Sequence, residues 1–227
     1  MAVFQVEADG DDGDEGTTGL VNVTDSTIQM FFANTHAGFH FTGVNIPSGA
    51  TITSAKLTIW IHDTADDFLT GKNMVAENAN NPDTWEAGLG GDITGRTDTD
   101  NPVSLGSGDV GSSGYYELPE MKTEIQQVVD DNSGTGDALN IIIHSTTTND
   151  LEIESHVADT TNKSAYITIT WTEGGGEPAP GKGLQVNVGD AWKQATMVQI
   201  NIGDTWKTVT KMQINIGDSW KTVFDDT

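Results

Sequence analysis

Thr51-Ile-Thr-Ser-Ala-Lys-Leu-Thr-Ile-Trp-Ile61 decides the fold class. Ile52, Leu57, Ile59 and Ile61 fall near period two among threonines, the pattern of a strand with one face in a core. Tyr166-Ile-Thr-Ile-Thr-Trp171 repeats the alternation, and Ala138-Leu-Asn-Ile-Ile-Ile-His144 is an unbroken apolar run of strand length. Around these three, strands are predicted over residues 3–8, 27–32, 38–44, 73–79 and 151–156. One segment, 119–130, reads as helix. In it Met121, Ile125, Val128 and Val129 recur at helical spacing, Pro119 stands near the start, and Asn-Ser-Gly follows the end. The expected class is all-β: a β-sandwich with one short helix. Residues 80–113, rich in Gly, Asp and Thr, are expected to form long surface loops, where binding residues tend to sit.

The pattern changes at Glu173-Gly-Gly-Gly-Glu-Pro-Ala-Pro-Gly-Lys-Gly183, which mixes glycine flexibility with proline stiffness and has no apolar period. The expected organisation is therefore a sandwich over 1–172, a linker over 173–183 and a second unit over 184–227. Charge divides at the same place. Of a net −24, residues 1–173 carry 28 acids against five basic residues, while 174–227 carry six acids against five lysines. An acidic field of that size repels phosphate backbones and anionic lipid, so nucleic acid is not an expected partner. No segment approaches the roughly 20 apolar residues of a membrane span, and Met1-Ala-Val-Phe-Gln-Val-Glu7 lacks the basic start of a secretion signal. With no cysteine, the fold must hold without disulfides or thiolate metal sites.

The second unit repeats itself. Leu184-Gln-Val-Asn-Val-Gly-Asp-Ala-Trp-Lys, Val198-Gln-Ile-Asn-Ile-Gly-Asp-Thr-Trp-Lys and Met212-Gln-Ile-Asn-Ile-Gly-Asp-Ser-Trp-Lys place Trp192, Trp206 and Trp220 14 residues apart. Each copy alternates apolar residues with Gln and Asn, turns at Gly-Asp and returns through Trp-Lys, so each is expected to be one β-hairpin. A two-residue loop would set Trp206 opposite Asn201 and pair Ile202 with Thr205; a three-residue loop would set Trp206 opposite Ile202. Either way a lone hairpin is marginal in water and must stack on something. Trp192, Trp206 and Trp220, with Lys193, Lys207 and Lys221 beside them, are read either as a repeat core or as anchors of an assembly interface.

Two resemblances add to this reading. Phe39-His-Phe-Thr-Gly-Val-Asn-Ile-Pro-Ser-Gly-Ala-Thr-Ile-Thr-Ser-Ala-Lys-Leu57 resembles the early strands of DNRLRE-type jelly-roll modules. The likeness continues through Asp92-Ile-Thr-Gly-Arg-Thr97, Glu124-Ile-Gln-Gln-Val-Val129, the strand from Ala138 to Ile143 and the closing strand, covering residues 3–172. It implies a two-sheet jelly roll similar to carbohydrate-binding domains. The tail is similar to the Gly-x-x-Trp-Lys-x-Val hairpin repeats at the ends of phage virion proteins. That likeness implies a small C-terminal β-hairpin repeat domain and assembly with other virion proteins.

Candidate chemistry is sparse. Asp9, Asp11, Asp12, Asp14 and Glu15 crowd one glycine-containing stretch and offer the hard oxygen ligands that Ca²⁺ takes, with Asp159 or Glu154 as a late partner. The other reading is a plain solvated acidic loop; an EF-hand is excluded because Leu20 stands at the twelfth position from Asp9. The histidines, His36, His40, His62, His144 and His156, form no zinc-binding pair in sequence. No nucleophile elbow or phosphate loop is present, and 34 acids make any choice of a catalytic pair uninformative. Trp85, Tyr115 and Tyr116, with Arg96, are candidates to stack on and bond a glycan, or else they cap the sandwich core. The expected protein is therefore not an enzyme. It is expected to be a phage structural protein, either a capsid decoration, a head fibre or a tail appendage, made in the host cytoplasm and displayed on the virion surface. It would assemble with capsid or tail proteins and with itself, a trimer being favoured. The alternative is a carbohydrate-binding adhesin that grips a host-surface polysaccharide.

Overall fold

Strand β6 (Thr51–Ile61) is the spine of the first sheet, and the alternation that predicts it also sets its faces. Ala55, Leu57, Ile59 and Ile61 are fully buried, while Lys56 and Trp60 are half-buried on the other side. Strand β12 (Tyr166–Thr172) runs antiparallel along β6 from Thr51 to Thr58, and β1 (Ala2–Gln5) lies outside it. Strand β11 (Glu152–Glu154) joins the same edge at Ile61 and carries β4 (Thr27–Gln29) beyond it. Strand β9 (Gly114–Glu117) takes the opposite edge over Thr58 to Ile61. The computed structural model describes residues 1–62, 69–106, 110, 112–156 and 163–173 in full, and the backbone of six short strands between 185 and 225.

The second sheet has the order β3 (Val21–Asn22), β2 (Asp12–Glu15), β5 (His36–Thr42), β10 (Ala138–Ser145), β7 (Lys72–Ala76), β8 (Val103–Ser104), all antiparallel. Its inner face brings Ala37, Phe39, Phe41, Leu139, Ile141, Ile143, Met74 and Ala76 into one core with the inner residues of the first sheet. The described residues of 1–173 are thus mostly β-strand, in two antiparallel sheets with one helix. Strand β10 reads as a continuous apolar run because both its faces are covered. Residues 80–99 fold over the outer side and form a smaller core of Val21, Val75, Trp85, Ile93 and Ile142. The expected surface loops are in part a third layer.

Helix α1 (Lys122–Asn132) starts three residues later than its periodicity suggests, and the reason lies in β6. Before the helix begins, the chain still follows the β6 edge as a strand would: Leu118 N–H donates to Leu57 (2.8 Å) and Met121 N–H to Ala55 (2.9 Å). The helix then supplies side chains in place of backbone. Gln126 accepts from Ile52 N–H (2.8 Å) and donates to the Ala50 carbonyl (3.0 Å), and Glu120 accepts from Ala55 N–H. An edge that would otherwise expose unpaired groups is closed. Ser133, in the left-handed region at φ 59°, ends the helix and donates its N–H to Val129.

The chain divides into two compact units, Met1–Gly174 and Gly175–Thr227. In the second unit, β13 (Gln185–Asn187) pairs with β14 (Trp192–Gln194), β15 (Gln199–Ile202) with β16 (Thr205–Thr208), and β17 (Lys211–Ile216) with β18 (Ser219–Asp225). The register is that of the two-residue loop. Ile202 pairs with Thr205 and Ile216 with Ser219, so Trp192, Trp206 and Trp220 stand opposite Asn187, Asn201 and Asn215. Lys193, Lys207 and Lys221 stand opposite Val186, Ile200 and Ile214. The expected linker over 173–183 falls, apart from Glu173, outside the described residues.

Candidate functional site

The second half of the acidic stretch, from Asp12 to Glu15, forms a strand rather than a loop, while Asp9 and Asp11 lie in the turn before it. Gly13 lies opposite Gly38 in the β2–β5 ladder, where a Cβ would come within 2.5 Å of the Asn22 carbonyl oxygen, so only glycine lets β3 approach. Once the stretch is a strand, alternation separates its carboxylates. Asp12 and Asp14 share a face with Phe39 and Ala37, while Glu15 shares one with His36. Glu15 is buried and accepts from the N–H groups of Ile93 and Thr94 (both 2.9 Å) and from the Thr94 hydroxyl, which fastens the covering loop. Asp11 accepts from Ala8 N–H and from the Thr84 hydroxyl. Asp9 faces His156 Nδ1 at 3.0 Å.

Asp12 is the unusual member. It is 1% exposed; one oxygen accepts from His156 N–H at 2.8 Å, and the other, Oδ1, is buried without a partner. Burial pushes its carboxyl up to about 7, against the lowering effect of that bond and of the His156 ring. Asp14 is pushed up to about 6, by burial first and by the nearby Asp25 charge second. Among the described residues, no three His, Asp or Glu side chains gather so as to hold a metal ion. Asp159 lies outside the described residues.

The four glycan candidates separate into three places. Trp85 is 3% exposed and lies over Gly38, where a Cβ would come within 2.6 Å of its ring. Arg96 covers the ring, its Cζ 4.8 Å from the centroid. Its guanidinium reaches Glu77 (3.1 Å) and Asp92 (3.0 Å) and the carbonyls of Asp83, Thr84 and Asp92. Both side chains are committed to holding residues 80–99 on the sheet, so Trp85 presents no open ring face to a sugar. Tyr116 packs against the main core, and its hydroxyl donates to the Ser112 carbonyl. Tyr115 is different. It is 43% exposed on the outer face of the first sheet, edge-on to Trp60 (5.1 Å between centroids) and to Tyr166 (5.7 Å). Lys163 Nζ lies 4.5 Å from the Trp60 ring centroid. Trp60, Tyr166 and Lys163 are invisible in the sequence as companions of Tyr115, because the group is drawn from three segments, around residues 60, 115 and 163–166, joined only by sheet register.

Histidines that look isolated in sequence also find partners. His36 and His144, 108 residues apart, are directly opposed on β5 and β10, their Nδ1 atoms 2.6 Å apart. His144 Nε2 lies 3.1 Å from Asp98. Burial and the neighbouring His144 ring lower the His36 imidazole to about 4. His40 Nδ1 bonds Asn140, which donates in turn to Glu77. His62 Nε2 lies 3.6 Å from the buried, unpartnered Oε2 of Glu154. No helix among the described residues is long and apolar enough to cross a membrane. No protein-family model matches the chain, and no curated protein matches it in sequence.

Proposed function

We propose that this is a structural assembly protein of a phage virion, a capsid decoration, head fibre or tail appendage. In this reading the hairpin tail attaches to capsid or tail proteins and to further copies of itself, and the sandwich is displayed on the virion surface. One observation carries it: the three repeats share a single register with large apolar positions on both faces of each hairpin. Trp192, Trp206 and Trp220 occupy the row of Gln and Asn, while Val186, Ile200 and Ile214 occupy the other. A two-stranded ribbon with apolar positions on both faces needs cover on both sides, which stacking or subunit contact provides. The role is binding and display, with no catalytic step, and a trimer is the favoured state.

The same proposal takes the sandwich as a jelly roll. Among its principal strands, β1, β12, β6 and β9 form one four-stranded set and β5, β10, β7 and β8 the other. Counted in chain order these are first-eighth-third-sixth and second-seventh-fourth-fifth, the strand order of two wrapped Greek keys. Ca²⁺ enters at one place: Asp12, through its unpartnered Oδ1, is the residue that would hold it, with Asp9 and Asp11 beside it.

Light scattering on the full chain and on a chain ending at residue 173 tests the assembly reading. The full chain should run as an oligomer and the shortened one as a monomer; monomers in both cases would remove it. The cluster of exposed Tyr115 with half-buried Trp60 and Tyr166 favours a second reading, a module that binds a host-surface polysaccharide, since such rings stack on sugar faces. A glycan array blank for the full chain, with and without Ca²⁺, would sink that alternative.

A further inference from the structure

The outer face of the second sheet holds a histidine pair that the assembly reading does not use. His36 and His144 are cross-strand neighbours, and their Nδ1 atoms point at one another across 2.6 Å. Two imidazole nitrogens at that separation must share a positive centre, either a proton on one ring or a cation between them. The other nitrogen of His144 is already engaged. Its Nε2 lies 3.1 Å from Asp98, and a neutral imidazole that donates there leaves Nδ1 as a lone pair aimed at His36. A carboxylate behind a histidine, fixing its tautomer and turning its free nitrogen toward a shared point, is the usual second layer of a metal-binding imidazole. Glu15 adds negative charge from the next strand, directly opposite His36 in the β2–β5 ladder, so the pair sits between two acids.

We propose that His36 and His144 form a two-imidazole seat for a borderline divalent cation of the Zn²⁺, Ni²⁺ or Cu²⁺ class, oriented by Asp98. Imidazole nitrogen suits these ions, whereas Ca²⁺ takes oxygen. At Zn–N lengths of about 2.0–2.1 Å, two tetrahedral donors stand about 3.3 Å apart, so the rings need to open by about 0.7 Å from their present contact. Both rings are only partly buried, which leaves that movement and an entry path available. Two protein donors leave coordination positions for water or for a donor atom of a bound partner. The seat is therefore weaker than a closed four-ligand site and is open to a ligand.

The test uses the full chain stripped with chelator and titrated with Cu²⁺ and with Zn²⁺ alone. One equivalent of Cu²⁺ should bind with nitrogen hyperfine coupling from two imidazoles in its electron paramagnetic resonance spectrum, Zn²⁺ should displace it, and millimolar Ca²⁺ should not. His144→Gln should weaken binding at least tenfold, and Asp98→Asn should weaken it about 10- to 100-fold while keeping the two-nitrogen signal. Equal binding by the His36→Gln/His144→Gln double variant, or a spectrum without imidazole coupling in the unaltered protein, overturns the assignment. The spectrum of the unaltered chain needs no variant to fold. Because the readout is ion binding, failure here leaves the assembly reading standing, and loss of assembly leaves this one.

Discussion

Asp12 shows how one side chain can set the pH response of the whole sandwich. Its carboxyl titrates near 7 in the fold and near 3.8 when the chain is unfolded. Between those values the folded state holds a proton that the unfolded state has released, so stability contributed by Asp12 falls as pH rises through the window. His36 works in the opposite direction. Its pKa drops from 6.5 to about 4, so the unfolded chain binds more protons there and stability rises with pH. The two partly cancel between pH 4 and 6.5, and the Asp12 effect is separated by substitution. Asp12→Asn should raise the melting temperature at pH 8 relative to the unaltered chain, by an amount that shrinks steadily toward pH 4. The energy involved is on the order of a few kcal/mol, since each tenfold change in proton affinity is worth about 1.4 kcal/mol. Scanning calorimetry in chelator at both pH values checks this, and an equal difference at the two would contradict it. Millimolar Ca²⁺ then stabilises the unaltered chain and leaves Asp12→Asn unmoved if the ion is held at Oδ1. None of this was legible in the sequence, where Asp12 is one of five crowded acids. Its burial follows from strand alternation, and the strand follows from Gly13 meeting Gly38. Trp85 is the mirror case: an aromatic in a polar loop looks exposed until Gly38, 47 residues earlier in the chain, leaves room for its ring.

Elements were far more legible than sites, because period and run length are local properties while pairing is not. The alternation in Thr51–Ile61 and Tyr166–Thr172 locates two central strands, and the apolar run at Ala138–Ser145 locates a third. What local pattern cannot show is which strand lies beside which. That is why Trp60, Tyr115 and Tyr166, or His36 and His144, become groups only in three dimensions. Helix α1 shows the same limit at its start, where a neighbouring strand edge outweighs the proline signal. Its Gln126 does the work of a strand by accepting from Ile52 and donating to Ala50. Gln126→Ala should cost about 1–2 kcal/mol, since it strips partners from two backbone groups at a partly buried edge. Gln126→Glu keeps the acceptor for Ile52 but loses the donor to Ala50 and to Asp130, sets a second carboxylate against Asp130, and should cost more than the alanine variant. Urea unfolding with an unchanged slope measures both; a cost for the alanine variant within about 0.3 kcal/mol of zero would show the edge to be sealed by water.

At the scale of the whole chain, charge and repetition together set what the proposed assembly would do, so they test it. The three repeats place their tryptophans at one register position, opposite Asn187, Asn201 and Asn215, so they are equivalent by construction. Equivalent contacts imply graded losses. Trp192→Ala, Trp206→Ala and Trp220→Ala should each weaken the oligomer by a similar factor, about thirtyfold if each ring contributes the roughly 2 kcal/mol typical of an interface hot spot. A loss confined to one of the three would mean a single specific contact carried by an otherwise decorative repeat. The acidic sandwiches oppose the same association. Copies with 28 acids and five basic residues in their first 173 positions repel one another at low ionic strength, and salt screens that repulsion over about 8–10 Å near physiological strength. Association should therefore tighten as salt rises from about 10 mM toward about 150 mM, the reverse of an interface built on opposite charges. Sedimentation velocity across a dilution series, at both salt levels and for all three variants, reads the two effects together. If salt instead loosens the oligomer, the lysines beside the tryptophans are pairing with acids across the interface. The tail would then be an electrostatic clasp rather than an apolar one.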